Sequence, residues 1–345
     1  VVVMDPQTGE VLAITSKPSF DPNLFATGIS RVNWQKLVRD EMHPLQNKAI
    51  DGQYPPGSIY KIITAFAGLE ENVATPEAVI NCPGRFRLGR GTYRCWKKSG
   101  HGRINIYRAL VRSCDVFFYT VGHRLGIDNL ARYAQEFGLG NYTRIHLNGE
   151  KPGLIPTTQW KLSAKGKPWL KGETISAAIG QGYNLLTPLQ AANMMAAVAN
   201  GGRLLRPYLV KRIEDPDGNV VEEYFPELVR QVNIRPENME LIRQALRGVV
   251  NDRGGTGYKA RIRKITVSGK TGTAQVAAMK KGEKVDEEDV PYRLRDHAWF
   301  IAFAPFENPR IVVSVVVEHG GHGGAAAAPI AREIIKTYFK HYPSA

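Results

Sequence analysis

The most constraining feature of this chain is that its strand-like segments lie at the two ends, with mostly helical patterns between them. Residues 1–4 and 10–15 read as strands on either side of a turn at residues 5–9. Three further strand-like runs lie near the C-terminus, at residues 265–276, 298–304 and 311–318. This order predicts one five-stranded antiparallel sheet, flanked by helices and closed by the N- and C-terminal segments.

The middle of the chain carries helical periodicity. Apolar residues with helical spacing follow Ser58, so Ser58 is expected at a helix N-terminus. Further helices are expected from residue 107 to about 125, after Pro188 and after Pro329.

The predicted class is α/β (α+β), with a sheet subdomain and a helical subdomain. We assign residues 1–20 and 255–345 to the sheet subdomain. Residues 21–254 form the mainly helical subdomain, which carries Ser58 and Ser113. The charged run at residues 280–289 is expected to be a solvated loop between two strands.

Charge and hydropathy restrict the classes of function. Lysine and arginine total 46 against 32 acidic residues, a net charge of +14, which favours polyanionic partners or is simply a solvated basic surface. The sequence has no zinc-finger repeat, RNP signature or helix-turn-helix pattern, which argues against nucleic acid. No apolar run is long enough to span a bilayer. Because the chain opens in what reads as mid-strand, we expect any membrane anchor to lie upstream.

Three short motifs occur in order along the chain: S-x-x-K at residues 58–61, S-x-[ND] at residues 113–115 and K-T-G at residues 270–272. This ordered set resembles the one found in serine β-lactamases and penicillin-binding proteins. Residues 19–21 and 98–100 also fit single patterns, but they are out of order. A serine at the start of a helix is commonly only a helix cap. Because all three motifs occur in order, we favour a catalytic role for Ser58 over a simple cap.

The chemistry of the first motif supports acyl transfer. Ser58 and Lys61 lie three residues apart and so share one helix face. A serine hydroxyl needs a neighbouring base to become a nucleophile. Burial and the like charge of Lys270 would both favour the neutral amine of Lys61 that such a base requires. The helix N-terminus also favours negative charge that develops near Ser58.

The K-T-G segment has the chemistry of a substrate-binding strand. An edge strand can pair with an extended peptide through its free backbone groups. Thr271 and Thr273 offer hydroxyls for a substrate carboxylate, and Lys270 offers the matching charge. We therefore expect Thr271, Gly272 and Thr273 to bind the substrate.

Longer segments around these motifs resemble class B penicillin-binding proteins. Residues 53–58 are similar to the nucleophile segment of that family, and residues 268–275 to its K-T-G strand. Residues 178–190 contain another of its signatures. Residues 297–300 and 320–324 look most like penicillin-binding protein 2, the elongation-specific subfamily. The resemblance covers nearly the whole chain and implies the penicillin-binding/serine β-lactamase-like transpeptidase fold.

The resemblance implies a peptidoglycan D,D-transpeptidase that forms peptide cross-links. In that family the nucleophile attacks a D-Ala-D-Ala carbonyl, expels the terminal D-Ala and passes the acyl group to an amine of a neighbouring stem peptide. Carried onto this sequence, Ser58 is the nucleophile and Lys61 the base. Ser113 and Lys270 form a proton path to the leaving amine.

The resemblance also implies which groups bind the oxyanion, and it shows one departure from the family pattern, at the third position of the second motif. It implies that the backbone amides of Ser58 and Thr273 form the oxyanion hole. Asp115 departs from the pattern, because many relatives have asparagine there. We count Asp115 among the catalytic residues, and we expect its charge to influence the two lysines.

The resemblance further implies a cellular setting. It places the protein at the periplasmic face of the bacterial inner membrane, with an N-terminal anchor and a pedestal upstream. The implied role is cell elongation and rod shape. The implied partners are a membrane glycosyltransferase, a scaffold protein, peptidoglycan stem peptides and inhibitory β-lactams. No cofactor is expected for catalysis.

Two other functions remain open: a D,D-carboxypeptidase or β-lactamase, and a non-catalytic β-lactam-sensing receptor domain. Class A β-lactamases use a glutamate for deacylation. The nearest equivalent of their Glu-x-x-Leu-Asn loop is residues 144–148, which begin with Arg144. Arginine cannot act as that base. We therefore expect a long-lived acyl-enzyme rather than rapid turnover of penicillin.

Three cysteines and a histidine lie within 33 residues of sequence: Cys82, Cys95, His101 and Cys114. They are a complete tetrahedral Cys3His set, which would hold a structural zinc ion and leave no open position for catalysis. The alternatives are a disulfide with one free thiol, or unrelated buried cysteines. A related site is familiar in relatives of penicillin-binding protein 2, so the resemblance favours zinc.

Overall fold

The computed structural model describes residues 1–276 and 290–343. Its strands are β1 (Val2–Met4), β2 (Val11–Ile14), β3 (Ile80–Cys82), β4 (Arg85–Leu88), β5 (Gly91–Arg94), β6 (Gly102–Ile104), β7 (Arg203–Leu205), β8 (Arg212–Glu214), β9 (Val220–Glu223), β10 (Leu228–Gln231), β11 (Ser268–Ala274), β12 (His297–Ala304) and β13 (Ile311–Val317).

Helices fill most of the chain between the first and last strands. They are α1 (Arg31–Arg39), α2 (Lys61–Glu70), α3 (Ile106–Val111), α4 (Asp115–Leu125), α5 (Ile127–Glu136), α6 (Thr158–Lys165), α7 (Lys171–Ala177), α8 (Pro188–Ala199), α9 (Pro236–Asn251) and α10 (Gly323–His341). Short 3-10 turns occur at Pro22–Phe25, Gly57–Tyr60, Tyr258–Ala260 and Tyr292–Leu294.

One five-stranded antiparallel sheet organises the fold, in the order β11-β12-β13-β1-β2. Val3 of β1 lies opposite Val313 of β13, so the first residues of the chain complete a sheet built mainly by its last third. The predicted five-stranded sheet closed by both ends is confirmed. Strands β12 and β13 are buried along almost their whole length, which explains why their sequences are continuously apolar rather than alternating.

Helices cover both faces of this sheet, as the predicted α/β (α+β) class requires. On one face, Ala328 and Ala331 of α10 pack against Phe300 and Val313. Helix α8, in which every residue is buried, belongs to the core on the other face. Burial of apolar side chains on both faces fixes the position of β11 and β12.

The helix predicted from residue 107 to about 125 is wrong in one respect, because the structure has two helices there. Helix α3 ends at Val111 and α4 begins at Asp115. Between them Ser113 has a φ of +52°, in the left-handed region that an L-residue does not adopt inside a helix. Both helices bury apolar residues, so the apolar pattern continues across the break and conceals it.

The final helix also differs from its prediction. It begins at Gly323 rather than after Pro329, which lies inside the helix near its N-terminal end. A Cβ on Gly323 would lie 2.1 Å from the carbonyl oxygen of Trp299, so glycine allows the helix to start directly on the sheet. Proline removes only one backbone donor at this position.

The middle of the chain contains helices α1 to α9 and four two-stranded ribbons: β3-β6, β4-β5, β7-β10 and β8-β9. These ribbons were not predicted from the sequence, and their strands are only three or four residues long. The division into subdomains at residues 20 and 254 stays a prediction. The charged run at residues 280–289 lies outside the described residues. Within the described ranges, no helix combines the length and apolarity needed to cross a membrane.

Candidate active site

Ser58 lies in the 3-10 turn that leads directly into α2, and its side chain is half-buried. Gly57 has a φ of +53°, and a Cβ there would lie 2.3 Å from the carbonyl oxygen of Thr273. Its N–H donates to the carbonyl oxygen of Gly180 at 2.9 Å. Glycine therefore allows the turn that carries Ser58 to touch the K-T-G strand backbone to backbone.

Lys61, the first residue of α2, has a fully buried side chain. Its Nζ donates to Ser113 Oγ at 3.1 Å and to the carbonyl oxygen of Ser113 at 3.0 Å. It also lies 2.6 Å from Asp115 Oδ1. The amine is thus held by one hydroxyl, one carbonyl and one carboxylate.

Ser113 occupies the break between α3 and α4, and its hydroxyl lies between two lysines. Lys270 Nζ donates to Ser113 Oγ at 3.0 Å, and Lys61 Nζ donates to the same oxygen from the other side of the site. The left-handed backbone of Ser113 turns the chain so that its hydroxyl and carbonyl both reach Lys61. A single hydroxyl therefore connects two buried amines.

Lys270 is fully buried on β11. Burial, and then the positive charge of Lys61, hold the pKa of Lys270 well below its ordinary value, while Asp115 opposes the shift. The two amines share one oxygen, so placing a proton on both brings like charges together in a dry site. The site accordingly favours an arrangement in which Lys270 is the neutral amine.

Asp115 is the counter-ion of Lys61. It is the first residue of α4, where the helix dipole favours a carboxylate. Its Oδ2 accepts the backbone N–H of Trp96 at 2.8 Å, while Oδ1 faces Lys61. Asp115 was expected to influence both lysines. It contacts Lys61 directly, and its negative charge raises the pKa of Lys270 by electrostatic interaction at a distance.

The K-T-G strand β11 lies at one edge of the sheet, with β12 as its neighbour. Thr271 is buried, and its hydroxyl is 2.8 Å from that of Thr256. Thr273 is half-buried, and its carbonyl oxygen accepts Gln181 Nε2 at 3.1 Å. A Cβ on Gly272 would lie 2.9 Å from the carbonyl oxygen of Pro56, so this glycine allows the nucleophile segment to approach the strand.

The structure brings the residues of the three motifs together at one place. It adds three residues that the sequence analysis missed: Trp96, Gln181 and Thr256. Gln181 lies within the signature at residues 178–190, which was a usable signal. Trp96 follows Cys95 directly, and its indole Nε1 donates to the carbonyl oxygen of Ser113 at 3.0 Å. No sequence pattern indicated that Trp96 would contact the second motif.

A cluster of three cysteines and one histidine lies at the second motif, which contains one of its members, Cys114. The four residues are Cys82, Cys95, His101 and Cys114. Their ligand atoms all lie within 4.8 Å of one another, and all three cysteines are free thiols. His101 Nδ1 is 3.6 Å from Cys82 Sγ and 3.5 Å from Cys95 Sγ. Chiefly because the Cys114 thiol donates a hydrogen bond to it, the pKa of Cys95 is lowered and that of Cys114 is raised. The geometry thus brings together the four side chains of the predicted Cys3His set.

Comparison with known proteins points to one family. The chain matches the profile described as "Penicillin binding protein transpeptidase domain" over residues 1–336. It is 41% identical to the peptidoglycan D,D-transpeptidase MrdA of Haemophilus influenzae over 343 residues, which is 98% of this chain and 52% of that protein. The chain spans about half the length of the curated relatives it matches.

Solved structures give the same result. Pseudomonas aeruginosa PBP2 in complex with WCK 5153 matches with a TM-score of 0.87 at 38% identity, covering 98% of this chain and 70% of that one. A chain in the complex between PBP2 and MreC from Helicobacter pylori matches with a TM-score of 0.87 at 34% identity, covering 99% and 60%. The predicted fold family is therefore confirmed.

Proposed function

The chain belongs to the family of penicillin-binding protein transpeptidase domains, and we propose that it is a peptidoglycan D,D-transpeptidase that works through a Ser58 acyl-enzyme. The observation that carries the proposal is the Ser113 hydroxyl, which accepts hydrogen bonds from both Lys61 and Lys270. If Ser58 were only a helix cap, the fold would have no need of two buried lysines at the Ser113 hydroxyl. Proton transfer from a nucleophile to a leaving group does need such groups.

In the proposed acylation, Lys61 passes one proton through the Ser113 hydroxyl to the neutral amine of Lys270. Lys61 then takes the proton of Ser58 Oγ, which forms a bond to the carbonyl carbon of the penultimate D-Ala. The C–N bond then breaks, and Ser113 with Lys270 delivers a proton to the nitrogen of the departing D-Ala. The amine of a second stem peptide next attacks the ester carbonyl, and Ser58 regains its proton as the cross-link forms. The lowered pKa of Lys270 supports this scheme, because a neutral amine can accept the proton that a charged one cannot.

The substrate is proposed to lie along β11 as an added strand. The backbone amides of Ser58 and Thr273 would bind the oxyanion, where preorganised donors contribute most to such reactions. Thr271 and Gly272 would contact the peptide together with Thr273, and the threonine hydroxyls would hold its terminal carboxylate. The edge position of β11 supports this placement.

Asp115 is proposed to hold the Lys61 amine in place rather than to exchange protons with substrate. It contacts Lys61 directly and is itself fixed by the N–H of Trp96. The charge of Asp115 also opposes the lowering of the Lys270 pKa.

The test is intact-protein mass spectrometry after exposure to benzylpenicillin. We expect a stable one-to-one adduct on the wild type and none on Ser58→Ala. Absence of an adduct on folded wild-type protein would contradict the assignment of Ser58. Rapid hydrolysis of the adduct would instead support the β-lactamase alternative.

A cross-linking assay separates the remaining alternatives. A transpeptidase joins synthetic stem peptides, a D,D-carboxypeptidase only trims them, and a β-lactam-sensing receptor domain does neither. The nearest sequence equivalent of the deacylating loop begins with Arg144 rather than glutamate, which supports slow deacylation. In the structure Arg144 is exposed, and its carbonyl oxygen accepts Arg206 Nε at 2.9 Å. We therefore favour inhibition by β-lactams over their turnover.

We propose the elongation machinery as the setting. MrdA-type transpeptidases are among the curated relatives, and the Helicobacter pylori relative was solved with MreC. By analogy, this chain would act with a scaffold protein of that kind and with a membrane glycosyltransferase, at the periplasmic face of the inner membrane. The net charge of +14 suits an enzyme that works beside anionic lipid and wall polymers.

We also propose that Cys82, Cys95, His101 and Cys114 hold a structural zinc ion. Tetrahedral zinc, with Zn–S of about 2.3 Å and Zn–N of about 2.0 Å, places sulfur and nitrogen about 3.5 Å apart. The two observed nitrogen–sulfur separations are 3.6 Å and 3.5 Å. Because Cys114 lies between Ser113 and Asp115, the ion would brace the wall of the active site and take no part in the reaction.

Metal analysis of protein purified without chelator tests this site. We expect about one equivalent of zinc, and less than about half an equivalent would count against the proposal. Cys95→Ser should lower both the zinc content and the melting temperature.

A further inference from the structure

The segment that leads into Ser58 is attached to the sheet by side-chain hydrogen bonds that the proposed chemistry does not use. Tyr54 Oη donates to Glu318 Oε1 at 2.8 Å. One residue later, the carbonyl oxygen of Pro55 accepts Trp299 Nε1 at 3.0 Å. Both attachments lie within four residues of the nucleophile.

Glu318, the residue that follows β13, is part of a mostly buried polar cluster. Its second oxygen, Oε2, forms an ion pair with Lys48, which is 7% exposed. Burial raises the pKa of Glu318, but the hydrogen bonds from Lys48 and Tyr54 outweigh it and hold this pKa below its ordinary value. The carboxylate is therefore ionised and accepts from both partners at once.

Tyr54 is fixed on its other sides as well. Its ring is 7% exposed and makes edge contacts with His297 at 5.3 Å and with Trp299 at 6.2 Å between ring centroids. Its backbone exchanges two hydrogen bonds with Leu186, each of 2.9 Å. The ring and the backbone of Tyr54 are thus held in place while its hydroxyl donates to Glu318.

The hydrogen bonds of Tyr54 and Pro55 to the sheet bear on how closely the turn that carries Ser58 approaches the K-T-G strand. Trp299 lies directly opposite Gly272 in the β11–β12 pair. Gly57 and Thr273 meet without room for a Cβ, so a shift of the turn by a few tenths of an ångström changes the spacing between the two amides proposed for the oxyanion hole. A reacting group displaced by about 1 Å can lose a factor of about 100 in rate.

We propose that Tyr54 and Glu318 are positioning residues for Ser58. In this inference, which rests on the proposed function, the Lys48–Glu318–Tyr54 cluster clamps residues 53–58 to the end of β13. The clamp sets the distance between the serine and the K-T-G strand. It touches no substrate and acts only through Ser58.

The experiment measures acylation by a chromogenic cephalosporin under single-turnover conditions, which separates the dissociation constant from the acylation rate constant. We expect Tyr54→Phe and Glu318→Ala each to lower the rate constant about tenfold, with the dissociation constant changed less than about threefold. The double variant should be no more than about twofold slower than either single variant, because both changes open one clamp. Glu318→Gln keeps an acceptor for Tyr54 and should recover most of the rate.

The chain contains a matched control. Tyr133 Oη donates to Glu71 Oε1, also at 2.8 Å, and Glu71 pairs with Arg132. This pair lies at the end of α2 that is remote from Lys61. Tyr133→Phe should change stability but leave the acylation rate constant within about twofold of wild type, because its loss does not move Ser58.

Hydrogen exchange of the peptide that spans residues 53–60 provides a readout that does not depend on activity. Tyr54→Phe should speed exchange in this peptide about tenfold and leave that of β12 unchanged. Wild-type acylation rates in Tyr54→Phe, or equal slowing in Tyr133→Phe, would overturn the inference. If the wild type itself is not acylated, the proposed function fails. Hydrogen exchange of residues 53–60 then tests by itself whether Tyr54 and Glu318 hold this segment in place.

Discussion

Replacing Gly57 by alanine should slow acylation of Ser58, because it forces the turn that carries Ser58 away from the K-T-G strand. The added Cβ would lie 2.3 Å from the Thr273 carbonyl oxygen, whereas real Cβ contacts begin at 3.0 Å. The turn and the strand must therefore separate by about 0.7 Å or more. Displacement on this scale between the two sides of a reacting centre costs up to about 100-fold in rate.

Gly89 offers a matched control for backbone strain. Its φ is +54° against +53° for Gly57, but a Cβ there would meet nothing within 4 Å. Both alanine variants therefore carry the left-handed strain of about 1–2 kcal/mol. Only Gly57→Ala adds the clash, for which overpacking suggests a further 1–3 kcal/mol or so.

The assay is the second-order acylation constant with a fluorescent penicillin, together with the free energy of unfolding in urea. We expect Gly57→Ala to be slower than Gly89→Ala by at least about 30-fold. Acylation of Gly57→Ala within threefold of wild type would refute the claim that the close contact between turn and strand sets the active geometry. Equal slowing in both variants would attribute the effect to strain alone.

Three further predictions concern charge. Asp115→Asn breaks a pair with Lys61 whose side chains are 0% and 10% exposed, so it should cost about 3 kcal/mol in thermal or urea unfolding, against under about 1 kcal/mol for Asp252→Asn at a surface pair. Burial and the neighbouring His319 lower the pKa of His297 to about 4, so the unfolded state binds more protons between pH 6.5 and 4. Stability should therefore fall by about 2 kcal/mol over that window, after allowance for solvent screening, and His297→Asn should flatten the loss in urea titrations. The acylation rate should decline as pH falls through the lowered pKa of Lys270, and Lys270→Arg, charged at every accessible pH, should be slower by about 100-fold in stopped-flow measurements.

Much of the sheet could be predicted from local pattern. The runs at residues 298–304 and 311–318 match β12 and β13 to within one residue, because a fully buried strand is continuously apolar and proline and asparagine mark the turn between these two. Helix ends were harder to place. The start of α10 depends on the contact of Gly323 with Trp299, a residue 24 positions earlier, so no local rule could place it.

The candidate site divides in the same way. The three motifs indicated the proposed nucleophile, the two lysines and the strand proposed for substrate, because their spacing reflects the period of a helix or a strand. They carried no information about the break at Ser113, where the backbone adopts a left-handed conformation against the helical pattern around it. They also missed Trp96, whose indole contacts Ser113 only because the loop before β6 folds over the second motif.

The sequence by itself indicated which residues are proposed to carry the chemistry, and it predicted that both ends of the chain share one sheet. The tertiary structure alone decided the charge relations: Asp115 pairs with Lys61, 54 positions away, and Lys270 reaches Ser113 across 157 positions. It also decided that Tyr54 and Glu318, 264 positions apart, meet beside the nucleophile. Helix and strand periods act over a few residues, whereas these contacts and the lowered pKa of Lys270 arise from burial that exists only once the helices and the sheet have packed.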